Sequence, residues 1–210
     1  MKTIFTLVFL LVCTIAYSQE KKKQSSFKRF VKENYVNFTD LGGLFGKSYQ
    51  ITPNAIQSPM YSFPVEASTN FTIQTFNGLK VYKNLAVGAT VGVDWFSNYQ
   101  IIPISLGIRG SLGENKTKKV KPFVGIDAGY GFMWLNDNTS INQEINGGLA
   151  FSPMIGLLIP TGGNANFTFS VGYKRNVFNT KTTSGIADNP YFSENQYQLN
   201  RMAVRLGVNF

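Results

Sequence analysis

The sequence from Asn34 to Phe210 alternates between apolar residues and polar or small residues with a period of two. Segment 167–174 places Phe, Phe, Val and Tyr at one set of positions and Thr, Ser, Gly and Lys at the other. Segment 202–210 likewise has an apolar or aromatic residue at every second position. Because successive side chains of a β-strand point to opposite faces, this pattern predicts strands that each have one apolar face.

Eight strands are predicted, at roughly 35–46, 68–80, 85–95, 101–111, 121–135, 149–160, 166–178 and 197–210. Phe38 and Asp40 interrupt the alternation of the first of them. Most of the strands approach or exceed the nine to eleven residues or so that a tilted strand needs to cross a bilayer.

The predicted connections differ in length in an ordered way. Those after the odd-numbered strands span 47–67, 96–100, 136–148 and 179–196, and the others span 81–84, 112–120 and 161–165. With 96–100 as the exception, the first group is longer, which is typical of barrels with long extracellular loops and short periplasmic turns. The sequence therefore predicts an all-β fold, an eight-stranded antiparallel up-and-down transmembrane β-barrel with both termini in the periplasm.

Alternation alone also fits a soluble barrel that buries its apolar face. The other face, however, consists of Gly, Ser and Thr with few charges, which is a poor surface to expose to water. We therefore expect the apolar face to contact outer-membrane lipid and the small face to line the lumen. The charged residues expected to pair in the lumen are Asp94, Arg109, Asp127, Lys174, Arg201 and Arg205. Those expected in an aromatic girdle at the membrane surface are Trp95, Tyr99 and Trp134.

The N-terminal segment has the pattern of an export signal. Lys2 precedes an apolar run, and Ala16 and Ser18 are small residues at the spacing that a signal peptidase requires. We expect a cleaved signal peptide at 1–18, a basic periplasmic arm at 19–33, and a barrel domain at 34–210 in the bacterial outer membrane. The arm has six basic and two acidic residues, and its sequence is compatible with a short amphipathic segment or with disorder.

The composition limits the chemistry that is possible. The 210 residues carry a formal net charge of +9, contain no histidine and have a single cysteine, Cys13. This excludes a histidine-based triad, a His/Cys metal cluster and a disulfide framework. We expect no catalytic site, no metal site and no cofactor. No basic patch is interleaved with aromatic residues, so we expect no nucleic-acid partner. Lys116, Lys118, Lys119 and Lys121 form either a solvated turn or a contact with anionic headgroups.

The segments IIPISLGIRGSL, KPFVGIDAGYGF, FTFSVGYKRN and RMAVRLGVNF together resemble the small bacterial outer-membrane β-barrel proteins of the porin-like, OmpA/OmpX-like class. The resemblance implies that the barrel-assembly machinery is a partner during biogenesis. It would recognise the alternating residues at the C-terminus, which are Met202, Val204, Leu206, Val208 and Phe210. The enzymes of this class depend on histidine, which this sequence lacks.

These observations predict a monomeric outer-membrane barrel with a structural or surface-interaction role and a lumen largely plugged by glycine and paired charges. The alternatives are a small porin for solute uptake and, more remotely, a lipid-modifying enzyme. No motif identifies the ligand of the external loops.

Overall fold

The computed structural model describes residues 26–51, 62–96, 99–112, 119–134, 143–163, 165–184 and 191–210. The predicted signal peptide lies outside these ranges. These ranges contain one helix and nine strand segments. They are α1 (Ser26–Asn34), β1 (Tyr35–Ile51), β2 (Ser62–Tyr82), β3 (Leu85–Trp95), β4 (Gln100–Ser111), β5 (Lys121–Trp134), β6 (Gln143–Asn146), β7 (Gly148–Pro160), β8 (Asn166–Ser184) and β9 (Tyr191–Asn209).

The strands form one closed antiparallel barrel. Each strand pairs with its neighbour in the chain, and β1 pairs with β9 to close the ring. β6 and β7 both pair with β8, and they form a single strand that is interrupted at Gly147. The barrel thus has eight strands, and the predicted fold class is confirmed.

The two ends of the barrel differ. One end, called the turn end below, carries the connections 83–84, 112–120 and 161–165 together with residues 36 and 210. The opposite end, called the loop end, carries the connections 52–61, 96–99, 135–142 and 185–190. At the turn end, the backbone of Asn37 exchanges two hydrogen bonds with that of Phe210, at 2.8 and 3.1 Å.

Several strands are longer at the loop end than the sequence pattern predicts. The connections predicted at 47–67 and 179–196 were too long, because β1, β2, β8 and β9 continue into them, and the sixth strand begins at Gln143 instead of 149. The extensions are rich in polar residues, as in the ladder from Thr180↔Asn195 to Ser184↔Tyr191. Backbone hydrogen bonds alone can hold such a ladder outside an apolar environment, so it has no apolar alternation to detect.

The lengthened strands are neighbours in the barrel. The interrupted strand β6–β7 spans 143–160, and its neighbours β8, β9, β1 and β2 contain 19, 19, 17 and 21 residues, whereas β3, β4 and β5 contain 11, 12 and 14. The wall is therefore taller on the side of β6–β7, β8, β9, β1 and β2, and this five-stranded part is called the high wall below.

Burial confirms the predicted assignment of the faces. On β9, Met202, Val204, Leu206, Val208 and Phe210 are exposed on the outside, whereas Arg201, Ala203 and Arg205 are buried inside. The expected irregularity of β1 was wrong: Phe38 and Asp40 both point inward, in phase with Leu44. The alternation of β1 was misinterpreted because an aromatic ring was not expected on the inward face of a strand.

The helix α1 is amphipathic. Val31 is half-buried, whereas Lys28, Arg29 and Lys32 are exposed. Arg29 forms an exposed ion pair with Glu33 at 2.8 Å. The chain divides into two compact units at the start of β1, and α1 belongs to the first. No helix in the described ranges is long and apolar enough to cross a membrane.

Candidate functional site

The interior of the barrel contains the charged residues that the sequence analysis selected. All six of Asp94, Arg109, Asp127, Lys174, Arg201 and Arg205 are buried there, each with 4% or less of its surface exposed. Their position follows from strand parity, since each lies on the face opposite the apolar row of its strand. Burying a charge is costly unless it is paired and hydrogen-bonded, so the partners of each carboxylate decide what the site can do.

Asp94 is fully buried, and both of its oxygens accept hydrogen bonds. Its Oδ1 accepts from the Lys174 ammonium at 2.7 Å and from the Thr72 hydroxyl at 2.7 Å. Its Oδ2 accepts from the Asn176 amide at 3.1 Å. These contacts join β3 to β2 on one side and to β8 across the interior.

Asp127 forms a bidentate pair with Arg109 on the neighbouring strand. The two guanidinium N–H groups donate to the two carboxylate oxygens, each at 2.9 Å, which is the strongest geometry for such a pair. Thr90 donates a further hydrogen bond to Asp127 at 2.7 Å. The Arg109 guanidinium also lies 4.5 Å from the centre of the Phe76 ring.

A third interior carboxylate, Asp40, was missed by the sequence analysis. It is buried and accepts a hydrogen bond from Thr168 at 2.8 Å, which links β1 to β8. Strand alternation could have predicted this position, because Asp40 lies two positions from Phe38 and four from Leu44 and therefore on the same face of β1. Gly207 of β9 leaves the space that Asp40 occupies, because a Cβ there would contact Asp40 Oδ1 and Thr39 O.

Arg201 and Arg205 are held by neutral groups. Arg201 donates to the hydroxyls of Ser48 at 2.8 Å and Ser68 at 3.2 Å. Arg205 donates to Ser152 at 3.2 Å and lies against the sulfur of Met154. Arg205 is additionally attracted by the three carboxylates around it, which are Asp40, Asp94 and Asp127.

Two apolar clusters lie above and below this charged layer. The loop-end cluster consists of Leu44, Phe96, Ile101, Phe178, Leu199 and Ala203, with Tyr99 and Tyr197 packed against it. The turn-end cluster consists of Val36, Phe38, Phe76, Ala86, Phe123 and Met154. The Phe38 ring lies 6.0 Å from that of Phe76 and 5.5 Å from that of Phe123, centre to centre. The sequence analysis expected glycine and charge in the interior and did not anticipate these rings.

Of the three residues predicted for the aromatic girdle, the structure places one on the outer face and one inside the barrel. Trp95 is on the outer face, where its ring lies 5.4 Å from that of Phe71. The placement of Tyr99 in the girdle was wrong, because its ring stacks on Phe96 at 4.8 Å and contacts Phe178 at 5.3 Å inside the loop end. Burial raises the pKa of the Tyr99 hydroxyl, opposed by the positive charge of Arg201 and a hydrogen bond with Ser48. Trp134 ends β5, and the orientation of its side chain lies outside what the structure describes.

The outer face is not entirely apolar. Near the turn end, the Asn37 amide donates to Thr75 at 3.0 Å and to Asn77 at 2.8 Å, and Thr39 donates to Asn37 at 2.9 Å. These side chains satisfy one another, which lowers the cost of placing them beside hydrocarbon. Towards the loop end the apolar row of β9 is followed by Asn200 and Gln198, which accept hydrogen bonds from Tyr173 and Arg175.

The interior carboxylates are well supplied with donors. Asp94 and Asp127 each accept three hydrogen bonds from side chains inside the barrel. Among the described residues, no group of three or more His, Cys, Asp or Glu side chains is placed to hold a metal ion.

The sequence matches no protein-family model and no curated protein sequence. The fold is similar to that of the outer membrane protein OprG from Pseudomonas aeruginosa, with a TM-score of 0.56 at 10% identity over 84% of this chain and 94% of that one. Neisserial surface protein A gives a TM-score of 0.46 at 9% identity, covering 83% of this chain and 95% of that one. The outer membrane protein AlkL gives 0.44 at 17% identity, covering 83% and 89%. The likeness to OprG shows that the chain has the fold of a small outer-membrane barrel.

Proposed function

We propose that the chain is an integral protein of the bacterial outer membrane that acts as a structural and surface-interaction scaffold, with a barrel interior that does not conduct. The outward apolar row, which on β9 runs from Met202 to Phe210, supports the membrane location. An outward face of this kind is suited to hydrocarbon and ill suited to water. The turn end, with both ends of the barrel domain, then faces the periplasm.

The proposal that the interior is closed rests on the order of its charged and apolar layers. Paired charges fill the middle, with an apolar cluster on either side of them. An eight-stranded barrel is only wide enough for its own side chains, and here those side chains are large. Ions crossing it would have to displace buried, hydrogen-bonded groups.

The test is conductance of the purified protein in planar bilayers, with an open porin as the positive control. We expect a current indistinguishable from that of protein-free membranes. Discrete, reproducible conductance steps that scale with the amount of protein would contradict the proposal and favour the small solute-uptake porin.

The high wall supports the surface-interaction role. Its strands continue past the apolar row, so polar side chains such as Arg175 and Gln198 stand beyond the membrane on one side of the barrel. Binding residues are commonly presented by polar extensions of a rigid scaffold. The absence of histidine from the sequence supports a role without catalysis.

We also propose that the outward row Met202–Phe210 is recognised by the barrel-assembly machinery. All five apolar residues of the row are exposed on the outside of the barrel, so none of them is needed to pack its interior. Phe210→Ala should reduce the yield of outer-membrane protein, whereas the purified variant should still fold into the barrel in detergent. Thr183→Ala, at the far end of β8, is the control, and equal yields for the two variants would contradict the proposal.

A further inference from the structure

A cavity of about 360 Å³ opens at the turn end of the barrel, below the turn-end cluster. Its walls are apolar at Phe38, Phe123 and Leu158 and polar at Asn166 and Asn209. The volume falls within the range of pockets that hold small molecules. The cavity is lined by residues of the turns as well as of the strands, and it reaches Arg109 of the Arg109–Asp127 ion pair.

The mouth of this cavity is strongly basic. Lys80, Lys83, Lys121 and Arg109 line it, and none of the described residues that line it is acidic. Lys80 and Lys121 occupy inward positions at the ends of β2 and β5, in phase with Phe76 and Phe123. A register shift between Lys80 and Tyr82 places a β-bulge at this rim, which re-aims the backbone there.

The buried cation of this set, Arg109, has an unpaired donor. Both terminal nitrogens of Arg109 are committed to Asp127, whereas its Nε has no hydrogen-bond partner in the described part of the chain, although the residue is 3% exposed.

We infer that this cavity binds a small amphiphilic anion, that is, a single apolar chain with a carboxylate or phosphate head. The three lysines would attract the head, and the rings of Phe38 and Phe123 and the side chain of Leu158 would contact the chain. The inference does not depend on the proposed function, because a site that ends at the turn-end cluster can be occupied whether or not the barrel conducts.

The experiment is calorimetric titration of the full-length barrel in phosphatidylcholine nanodiscs, with empty nanodiscs as the blank. The probes are octanoate, octyl phosphate, inorganic phosphate and octanol. We expect saturable binding of octanoate or octyl phosphate, and the tighter of the two identifies the head. Binding of inorganic phosphate with equal affinity would overturn the proposal, as would equal binding of octanol or no saturable binding of any probe.

Matched variants locate the site. Lys80→Gln combined with Lys83→Gln removes two exposed charges at the cavity and should weaken binding by about tenfold or more. Lys47→Gln combined with Lys181→Gln makes the same change of charge at the loop end and should leave binding unchanged. Lys80→Arg combined with Lys83→Arg should retain it. All variants should keep the compact, heat-modifiable mobility of the folded barrel in gels, and equal affinities for the two Gln pairs would place the ligand elsewhere.

Discussion

At the scale of single residues, the interior depends on matching each buried carboxylate to its donors. Asp94 of β3 links three strands, because its donors Thr72 and Lys174 lie on β2 and β8. Removing one member of such a pair leaves a buried charge without compensation, which costs far more than the pair contributes. The sequence could predict which charges lie inside, because parity fixes the face of each residue. It could not predict the partners, because Asp94 and Lys174 are eighty positions apart and only the closed ring brings them together.

Asp94→Asn should destabilise the barrel by about 3–5 kcal/mol, because the Lys174 ammonium stays buried without a negative partner. The double variant Asp94→Asn with Lys174→Met should recover part of that loss. The measurement is urea unfolding in lipid vesicles, followed by tryptophan fluorescence. Additive effects of the two substitutions would show that the residues do not interact.

Gly207→Ala should destabilise the barrel by about 1–3 kcal/mol, because the added methyl group would crowd the Asp40 carboxylate and lie 2.8 Å from the Thr168 hydroxyl. Gly163→Ala is the matched control, since its Cβ would have no neighbour closer than Thr161 Oγ1 at 4.0 Å. The same unfolding assay compares them. Similar losses for both variants would show that the space beside Asp40 is not needed.

At the scale of strands, the pattern of the sequence predicted those segments in which an apolar face alternates with a small one. β3 and β4 agree with the prediction to within one residue, because their outward rows of Val, Ile and Leu run nearly their full length. The loop-end extensions of β8 and β9 could not be found in this way. Their polar residues are held by backbone pairing, which leaves no periodic trace in the side chains.

Position along β9 should determine the effect of an outward charge. Leu206→Arg places a cation in the middle of the apolar row and should cost about 2–4 kcal/mol, whereas Gln198→Arg, on the same face beyond the row, should cost about 0–1 kcal/mol. Both costs are measured by unfolding in vesicles. A reversed order would mean that the apolar row does not contact hydrocarbon.

At the scale of the whole molecule, the barrel combines a largely apolar exterior with strands of unequal length. The high wall includes both β1 and β9, so the chain closes its ring in the tallest region. The sequence predicted the ring and its strand number. It did not predict which side would be taller, or that aromatic rings rather than glycine alone would fill the turn end, since both depend on packing among distant strands.

Shortening the high wall should leave the barrel intact. Replacing 183–192 by Asn-Gly, a favoured hairpin turn, joins Thr182 to Ser193 and spares the pairing of β6 with β8 as well as Phe178 and Tyr197 of the loop-end packing. We expect the free energy of unfolding to change by less than about 1 kcal/mol, because no interior cluster loses a member. Deleting 167–174, within the apolar row of β8, is the control and should abolish folding. Loss of folding in the first variant would show that the extension is structural.

The meeting of β1 and β9 has a consequence for incomplete chains. The first strand β1 and the last strand β9 pair from Phe38↔Asn209 to Ile51↔Gln196, so the barrel cannot close until β9 has been synthesised. A product truncated before Tyr191 would present two bare ladders of backbone amides and carbonyls, one on β1 and one on β8. These groups find no hydrogen-bond partner in hydrocarbon, so the fragment cannot form a smaller closed barrel in the membrane. It therefore remains accessible to proteases.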